Sequence, residues 1–566
     1  METGFRGDYT LVVFQARGQR RLARNRQSRH QELFNQVTFH RGFSVYIMHL
    51  NPIDLSVIII YFVSMIGMGL RLSGKNKTTD GYFLGGRNFP GWAIGISFIG
   101  AMISSVTFIA YPADSFKTAW IRLVPNFAFP VVVIISAYMF IPFFRRGTVN
   151  SAYQYLSMRF GNSVSVYAAV VFMLAQILRT ATVAYLVAIL LAPMTGVRIE
   201  WCILIAGGIT ALYTIKGGFT AVIWTDVIQT VILVAGAAAC IIFVTAAIPG
   251  GLGTIFSESW AAGKLSFMDL NAKTGELEPM RGGFSLSEKT VIMLLLVGFV
   301  QYVAGKLNQE TVQRWCSART PGDAKRSMIV LGIGSVPIWA MFMFLGTCLW
   351  VYFQHFPSSV SVEILSGLRK AEEILPHFIV SVLPPGLAGL VISAALAAAM
   401  STLSSGINTA SMVWVRDIYQ PYFAKGRDDR HYLRMGLGAS LGISILMIGG
   451  AFLFYFADTK TLMDFSIIVT ALLGGGISGA FLFGMLTRRG DARAVLIGIV
   501  ATALFTVYAT LMQFGIVPRI FDSYYTSIIG NIIMFAVSYG AACLLPEKPR
   551  DLKNLTVFDQ SKEQLV

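Results

Sequence analysis

A chain of 566 residues with 55% hydrophobic and only 13% charged positions, and a mean hydropathy of +0.64, has too little polar surface to cover a water-soluble globule. Its composition is that of a polytopic membrane protein. The net charge of +16 does not call for nucleic acid, because Lys and Arg in such a chain first serve to orient it across the bilayer.

Residues 1–47 form a basic N-terminal extension with eight Arg and three acids. Thirteen apolar stretches follow, each read as a helix able to cross about 30 Å of hydrocarbon. They lie at 53–70, 91–114, 125–144, 163–195, 199–214, 220–248, 286–306, 327–354, 386–413, 433–457, 461–486, 492–514 and 524–545. The stretch at 199–214 is short and is kept because its neighbours are clearly separate. With the loop after the first span placed in the cytoplasm, the cytoplasmic loops and tail hold most of the Lys and Arg outside the extension. The first span therefore enters from outside and the C-terminus is cytoplasmic. The extension opposes this bias. It fits either a processed Arg-rich targeting piece or a start of translation at Met48 in IMHLNPIDL, and the second is preferred because it leaves a short neutral leader.

Ten spans between 91 and 486 read as two sets of five, each opened by a broken helix, at 91–114 and at 286–306. The first candidate break is GAMISSVTFIAYP, residues 100–112, in which Gly100, Ser104, Ser105, Thr107 and Pro112 make a poor continuous helix. Ordinary interhelical contacts would use the same small residues. Arg179, in FMLAQILRTATVAYL, and Asp226, in FTAVIWTDVIQTVIL, are the ionised side chains well inside predicted spans. At about 2.5–3.5 kcal/mol each, such charges need a partner, a cavity or an ion. They could neutralise each other, or Arg179 could meet an anionic substrate and Asp226 a cation. The loops at 249–285 and 355–385 read as external caps or gates.

In AAAMSTLSSGIN, residues 397–408, four hydroxyls crowd one helix. At about 100° per residue, Ser401, Thr402, Ser404 and Ser405 fall within an arc of roughly 160°, and the Ala398 carbonyl points into the same sector. Hydroxyls and carbonyls are hard, neutral ligands, and without a carboxylate they suit a monovalent cation better than Ca2+ or Mg2+. The alanines at 394, 395 and 397–399 would let a neighbouring helix approach closely. Hydrogen bonding within and between helices is the alternative use of such a stripe.

The five cysteines (Cys202, Cys240, Cys316, Cys348, Cys543) have no ligand spacing and read as apolar filler. No HExxH, GxSxG or phosphate-binding loop occurs in the sequence, which argues against hydrolase and ATPase chemistry and for a protein that is not an enzyme.

Four passages resemble the sodium:solute symporter family: GAMISSVTFIAYP, YTIKGGFTAVIWTDVIQT (213–230), NQETVQRWCSA (308–318) and AAAMSTLSSGIN. The resemblance runs from Asn51 to the last span. It implies an all-α polytopic membrane protein with the inverted five-plus-five, LeuT-type repeat, one extra N-terminal span and two extra C-terminal spans. The parts would be the extension 1–47, an extra span and loop 48–90, repeats 91–248 and 286–486 around an external loop 249–285, two added spans 487–545 and a tail 546–566. It also implies a primary sodium site at Gly100, Ile103, Ala398, Ser401 and Thr402. Within the family the motifs are most similar to bacterial sialic acid transporters. That likeness implies substrate contacts at Ser104, Thr107 and Arg179, and a second sodium site at Asp226, Ser401, Ser404 and Ser405. Met102 stands where those transporters place a hydroxyl, and Asn126 where they place a Gln. The expected protein is thus a sodium-coupled importer in the inner (plasma) membrane, carrying sialic acid or a related carboxylated sugar with one or two Na+. A neutral sugar, another small carboxylate, or a transporter-like sensor or channel are the alternatives.

Overall fold

The computed structural model describes residues 51–74, 77–145, 151–270, 277–286, 289–457, 476–546 and 551–558. The basic extension, the first part of the predicted span 461–486 and the end of the tail lie outside them. Nearly everything described is helical. The elements that matter below are α1 (Pro52–Ser73), α2 (Gly91–Met102), α3 (Ser105–Lys117), α4 (Trp120–Arg145), α5 (Asn162–Thr195), α6 (Ile199–Ala247), α7 (Val291–Lys306), α8 (Gln309–Cys316), α9 (Pro321–His355) and α10 (Leu387–Val413). Beyond them run α11 (Asp429–Phe456), α12 (Ile477–Leu486), α13 (Ala492–Gln513) and α14 (Thr526–Leu544).

Among the described residues, nine helices are long and apolar enough to cross a membrane, and two bent pairs bring the spans to as many as eleven. The pairs are α2 with α3, bent by 60°, and α7 with α8, bent by 55°. Broken helices therefore stand at or just past the two places where the sequence leads one to expect them. The first break falls inside the predicted motif, where Ile103 (φ −93°, ψ 90°) and Ser104 (φ −79°, ψ 170°) are extended. The second corrects the expectation. It lies at Leu307 and Asn308, just past the predicted span 286–306, because Asn308 caps a new helix by accepting from the Thr311 amide at 3.0 Å. The polar run 309–316, expected in a loop, is that helix, and all eight of its residues are buried.

The paired spans at 199–214 and 220–248 are continuous in hydrogen bonding except at Gly218, whose φ of 57° and ψ of −156° break α6 in two. A residue with a Cβ is strained at that positive φ. The sequence KGGF marks the turn.

Nearly every residue of α10 is buried, its hydroxyl stripe included. The outer helices instead present Ile60, Val63, Ile445 and Leu504 outward, which in lipid is the favourable side for them. The start of α10 is held by α1. Asp54, itself buried, accepts from the amides of Gly386 and Gly389, both at 2.7 Å, filling two donors that a helix N-terminus leaves unpaired. Asp54→Ala is expected to lower stability by about 1–2 kcal/mol, read as a drop of several degrees in the melting temperature of the detergent-purified protein. The segment after α6 carries a helix, Gly251–Ala261, and a hairpin pairing β1 (Met268–Leu270) with β2 (Leu277–Pro279).

Candidate functional site

The hydroxyl stripe of α10 meets α6 and the broken end of α2. Because α2 stops at Met102, its last backbone bond of the regular kind is Ile103 to Ile99. The carbonyls after Ile99, Gly100 among them, lack the amide partners of a continuous helix. Gly100 permits the approach. A Cβ there would stand 2.5 Å from Thr230 Oγ1 and 3.3 Å from Ser401 Oγ. Ser401 Oγ donates to Asp226 Oδ1 at 2.6 Å, Thr402 Oγ1 to the Ala398 carbonyl at 3.3 Å, and Ser404 Oγ to the Ser401 carbonyl at 3.1 Å. Four of the oxygen-bearing residues expected around the primary ion, Gly100, Ala398, Ser401 and Thr402, thus share one neighbourhood. Ile103 is the extended residue at the break itself.

The two intramembrane charges do not pair with each other, which corrects that alternative. Asp226 Oδ2 accepts from Arg314 Nη2 at 3.1 Å and from Ser97 Oγ at 2.6 Å, and neither Asp226 nor Arg314 is exposed at all. Arg314 also donates from Nη2 to Ser405 Oγ at 2.7 Å and from Nε to Ser97 Oγ at 3.2 Å. Its guanidinium therefore binds Asp226 and Ser405, two of the four residues, with Ser401 and Ser404, expected to hold a second sodium. Arg179 pairs with Glu310 on α8, Nη1 to Oε2 at 3.1 Å, and is half-exposed. Glu310 is further tied to Gln176 at 3.4 Å and to Arg314 at 3.4 Å.

Interior charge is thus richer than two side chains. Glu310 and Arg314 sit on α8, one turn apart, and Lys306 ends α7. The signal was present as an acid and a base at i, i+4 in NQETVQRWCSA, but the stretch is too short and polar to read as part of a span. Lys306 is 3% exposed, with its ammonium 3.8 Å from Met102 Sδ and 5.2 Å from the ring centroids of both Phe98 and Phe129. Asn126 is occupied on both sides, accepting from Tyr302 Oη at 2.6 Å and donating to Tyr111 Oη at 2.9 Å. Ser104 begins α3 without a side-chain cap bond, and Thr107 is half-buried one turn into it.

Two broken helices linked by Arg314–Ser97 and Lys306–Met102 contacts, with backbone carbonyls, hydroxyls and buried charges gathered at the breaks, define an ion-coupled secondary transporter whose site lies between helices. Residues 82–515 match the sodium:solute symporter family, and the chain belongs to that family. It is 30% identical to the sodium/sialic acid symporter SiaT of Proteus mirabilis, over 81% of this chain and 89% of the relative. It is 28% identical to the human sodium-coupled monocarboxylate transporter 1, over 76% of this chain and 68% of the relative. A solved substrate-bound, outward-open state of a Na+-coupled sialic acid symporter, described as revealing a novel Na+ site, superposes with a TM-score of 0.79. It covers 89% of this chain and 100% of that one at 27% identity. The fold is accordingly the inverted-repeat fold of these transporters, and the protein is a multi-pass membrane protein that imports an organic solute with sodium by alternating access.

Proposed function

We propose that the solute is sialic acid or a related carboxylated sugar, and that it binds beside a sodium ion held by Gly100, Ile103, Ala398, Ser401 and Thr402. The observation that carries the anionic substrate is the charge balance at the two breaks. Among the described residues, Arg179, Lys306 and Arg314 stand with Asp226 and Glu310 as their acidic neighbours, so with all three cations charged the cluster keeps one positive charge that a carboxylate would match. The relatives named for sialic acid support the sugar part of the reading. Ser104, Thr107, Asn126, Arg179 and Met102 line the substrate in this proposal, and Asp226, Ser401, Ser404 and Ser405 form a second sodium site once Arg314 yields its contacts. Helices from 91–248 and 286–486 are the two repeats. The Lys and Arg distribution supports a cytoplasmic C-terminus and an external N-terminal end of the first span in the inner membrane. No step of the cycle asks for a catalytic group.

Each sodium entering gains about 2.3 kcal/mol per 100 mV, a roughly fifty-fold substrate gradient from voltage alone. With one sodium and one monoanion the step is electroneutral, so only a second ion lets the voltage contribute. A small carboxylate is the second reading. Met102 offers no hydroxyl and Asn126 is already taken by two tyrosines, which leaves fewer groups for sugar hydroxyls.

A thermal-shift panel of sialic acids, hexoses and small monocarboxylates tests the proposal. N-acetylneuraminic acid should raise the melting temperature in sodium but not in potassium. Stabilisation by hexoses alone would exclude an anionic substrate.

A further inference from the structure

Each charged side chain at the breaks but one has an opposite partner within 4 Å. Arg179 and Arg314 are paired with Glu310 and Asp226. Both Glu310 carboxylate oxygens are engaged, one by Arg179 and Gln176, the other by Arg314. Lys306 is the exception. The residue is 3% exposed, and among the described residues no oxygen accepts from its ammonium. It rests instead between the rings of Phe98 and Phe129, with the Met102 sulfur 3.8 Å away. Two aromatic faces and a thioether replace little of the hydration an ammonium gives up. A lysine so buried is costly to keep charged unless an anion stands beside it.

Its position says which one. Met102 is a substrate-lining residue in the reading above, and Tyr302, one turn before Lys306, holds Asn126, another such residue. Lys306 therefore borders one substrate position directly and shares its helix with the residue that holds another, while Arg179 is already tied through Nη1 to a carboxylate of the protein.

We propose that Lys306 is the specificity-determining residue that receives the substrate carboxylate, and that Arg179 stays with Glu310 as an internal pair. The inference rests on the reading that the substrate is a carboxylate, and it reassigns which cation meets it. Selectivity for acids over their neutral analogues then resides at Lys306 and not at Arg179.

The test compares N-acetylneuraminic acid with its neutral methyl ester, binding to purified protein in sodium, for the wild type and for Lys306→Met, Lys306→Arg and Arg179→Met. The wild type should prefer the acid by about 10- to 100-fold, the range for one charge-assisted contact. Lys306→Met should reduce that preference to near unity while leaving ester affinity in place, and Lys306→Arg and Arg179→Met should keep it. Persistence of the acid preference in Lys306→Met, its collapse in Arg179→Met, or an equal loss for acid and ester in Lys306→Met would each overturn the assignment, while leaving an anionic substrate in force. Should the wild type bind neither sugar, lactate and lactamide take their place in the same comparison. A wild type with no preference for any acid over its neutral analogue would remove the carboxylate reading and this inference together. If Lys306→Met does not fold, Lys306→Gln gives the same neutral position, and the retained preference in Lys306→Arg remains the second readout.

Discussion

Replacing Ser401 and Thr402 together by Ala should reduce sodium-driven uptake by at least about a hundred-fold. Two oxygen ligands to a cation, taken at roughly 1.5–3 kcal/mol each by analogy with hydrogen bonds to charged groups, correspond to a loss of two orders of magnitude or more. The two positions also differ in a useful way. Ser401 donates to Asp226, whereas Thr402 donates to the Ala398 carbonyl of its own helix. Thr402→Ala by itself therefore removes a sodium ligand without disturbing the buried carboxylate, and should raise the sodium concentration for half-maximal uptake about ten-fold or more. Uptake of radioactive sodium by proteoliposomes, alongside a melting curve to verify folding, checks both. A double variant that transports with unchanged sodium dependence would show that the α10 stripe serves only to bond helices.

The second large effect concerns the pair of Asp226 and Arg314. With neither side chain exposed, removing the cation leaves a carboxylate buried on two hydroxyl donors alone, Ser97 and Ser401. Such a loss costs about 3–5 kcal/mol, so Arg314→Met should yield little folded protein. Asp226→Asn is the milder change, since Arg314 keeps Ser405, Ser97 and Glu310. It should fold and should lower the Hill coefficient for sodium if a second ion binds there. The double change Asp226→Asn with Arg314→Met should recover folded protein relative to Arg314→Met alone, with a coupling of about 0.5–3 kcal/mol in the double-mutant cycle. Arg314→Met as stable as the wild type would mean that the pair bears little of the fold.

Much of this was legible in the sequence, for identifiable reasons. The α10 stripe declares itself because four hydroxyls interrupt an alanine-rich apolar run, and helical geometry alone puts them on one side. The break in α2 is legible because Gly100, Ser104 and Pro112 cluster within thirteen residues. The turn at Gly218 is legible as a Gly pair between two apolar runs. By contrast α8 was hidden. Eight residues carrying Gln, Glu and Arg are shorter than a span and look like loop, and only the 55° bend at Leu307 and Asn308 carries them into the interior. Arg179 and Asp226 were correctly singled out as costly, but their partners stand on that hidden half-helix. Sequence distance gave no hint that Arg314 lies 3.1 Å from Asp226. The motif containing Arg314 reads as a polar loop by composition, and it is the bend that makes its charges interior.

Accumulation against a gradient tests the central claim most directly. Purified protein in proteoliposomes should concentrate N-acetylneuraminic acid above its external level when sodium is high outside. That accumulation should vanish when the sodium gradient is dissipated or potassium replaces sodium, and uptake should saturate with substrate. Equilibration without accumulation, or uptake indifferent to sodium, would contradict sodium-coupled symport of this solute.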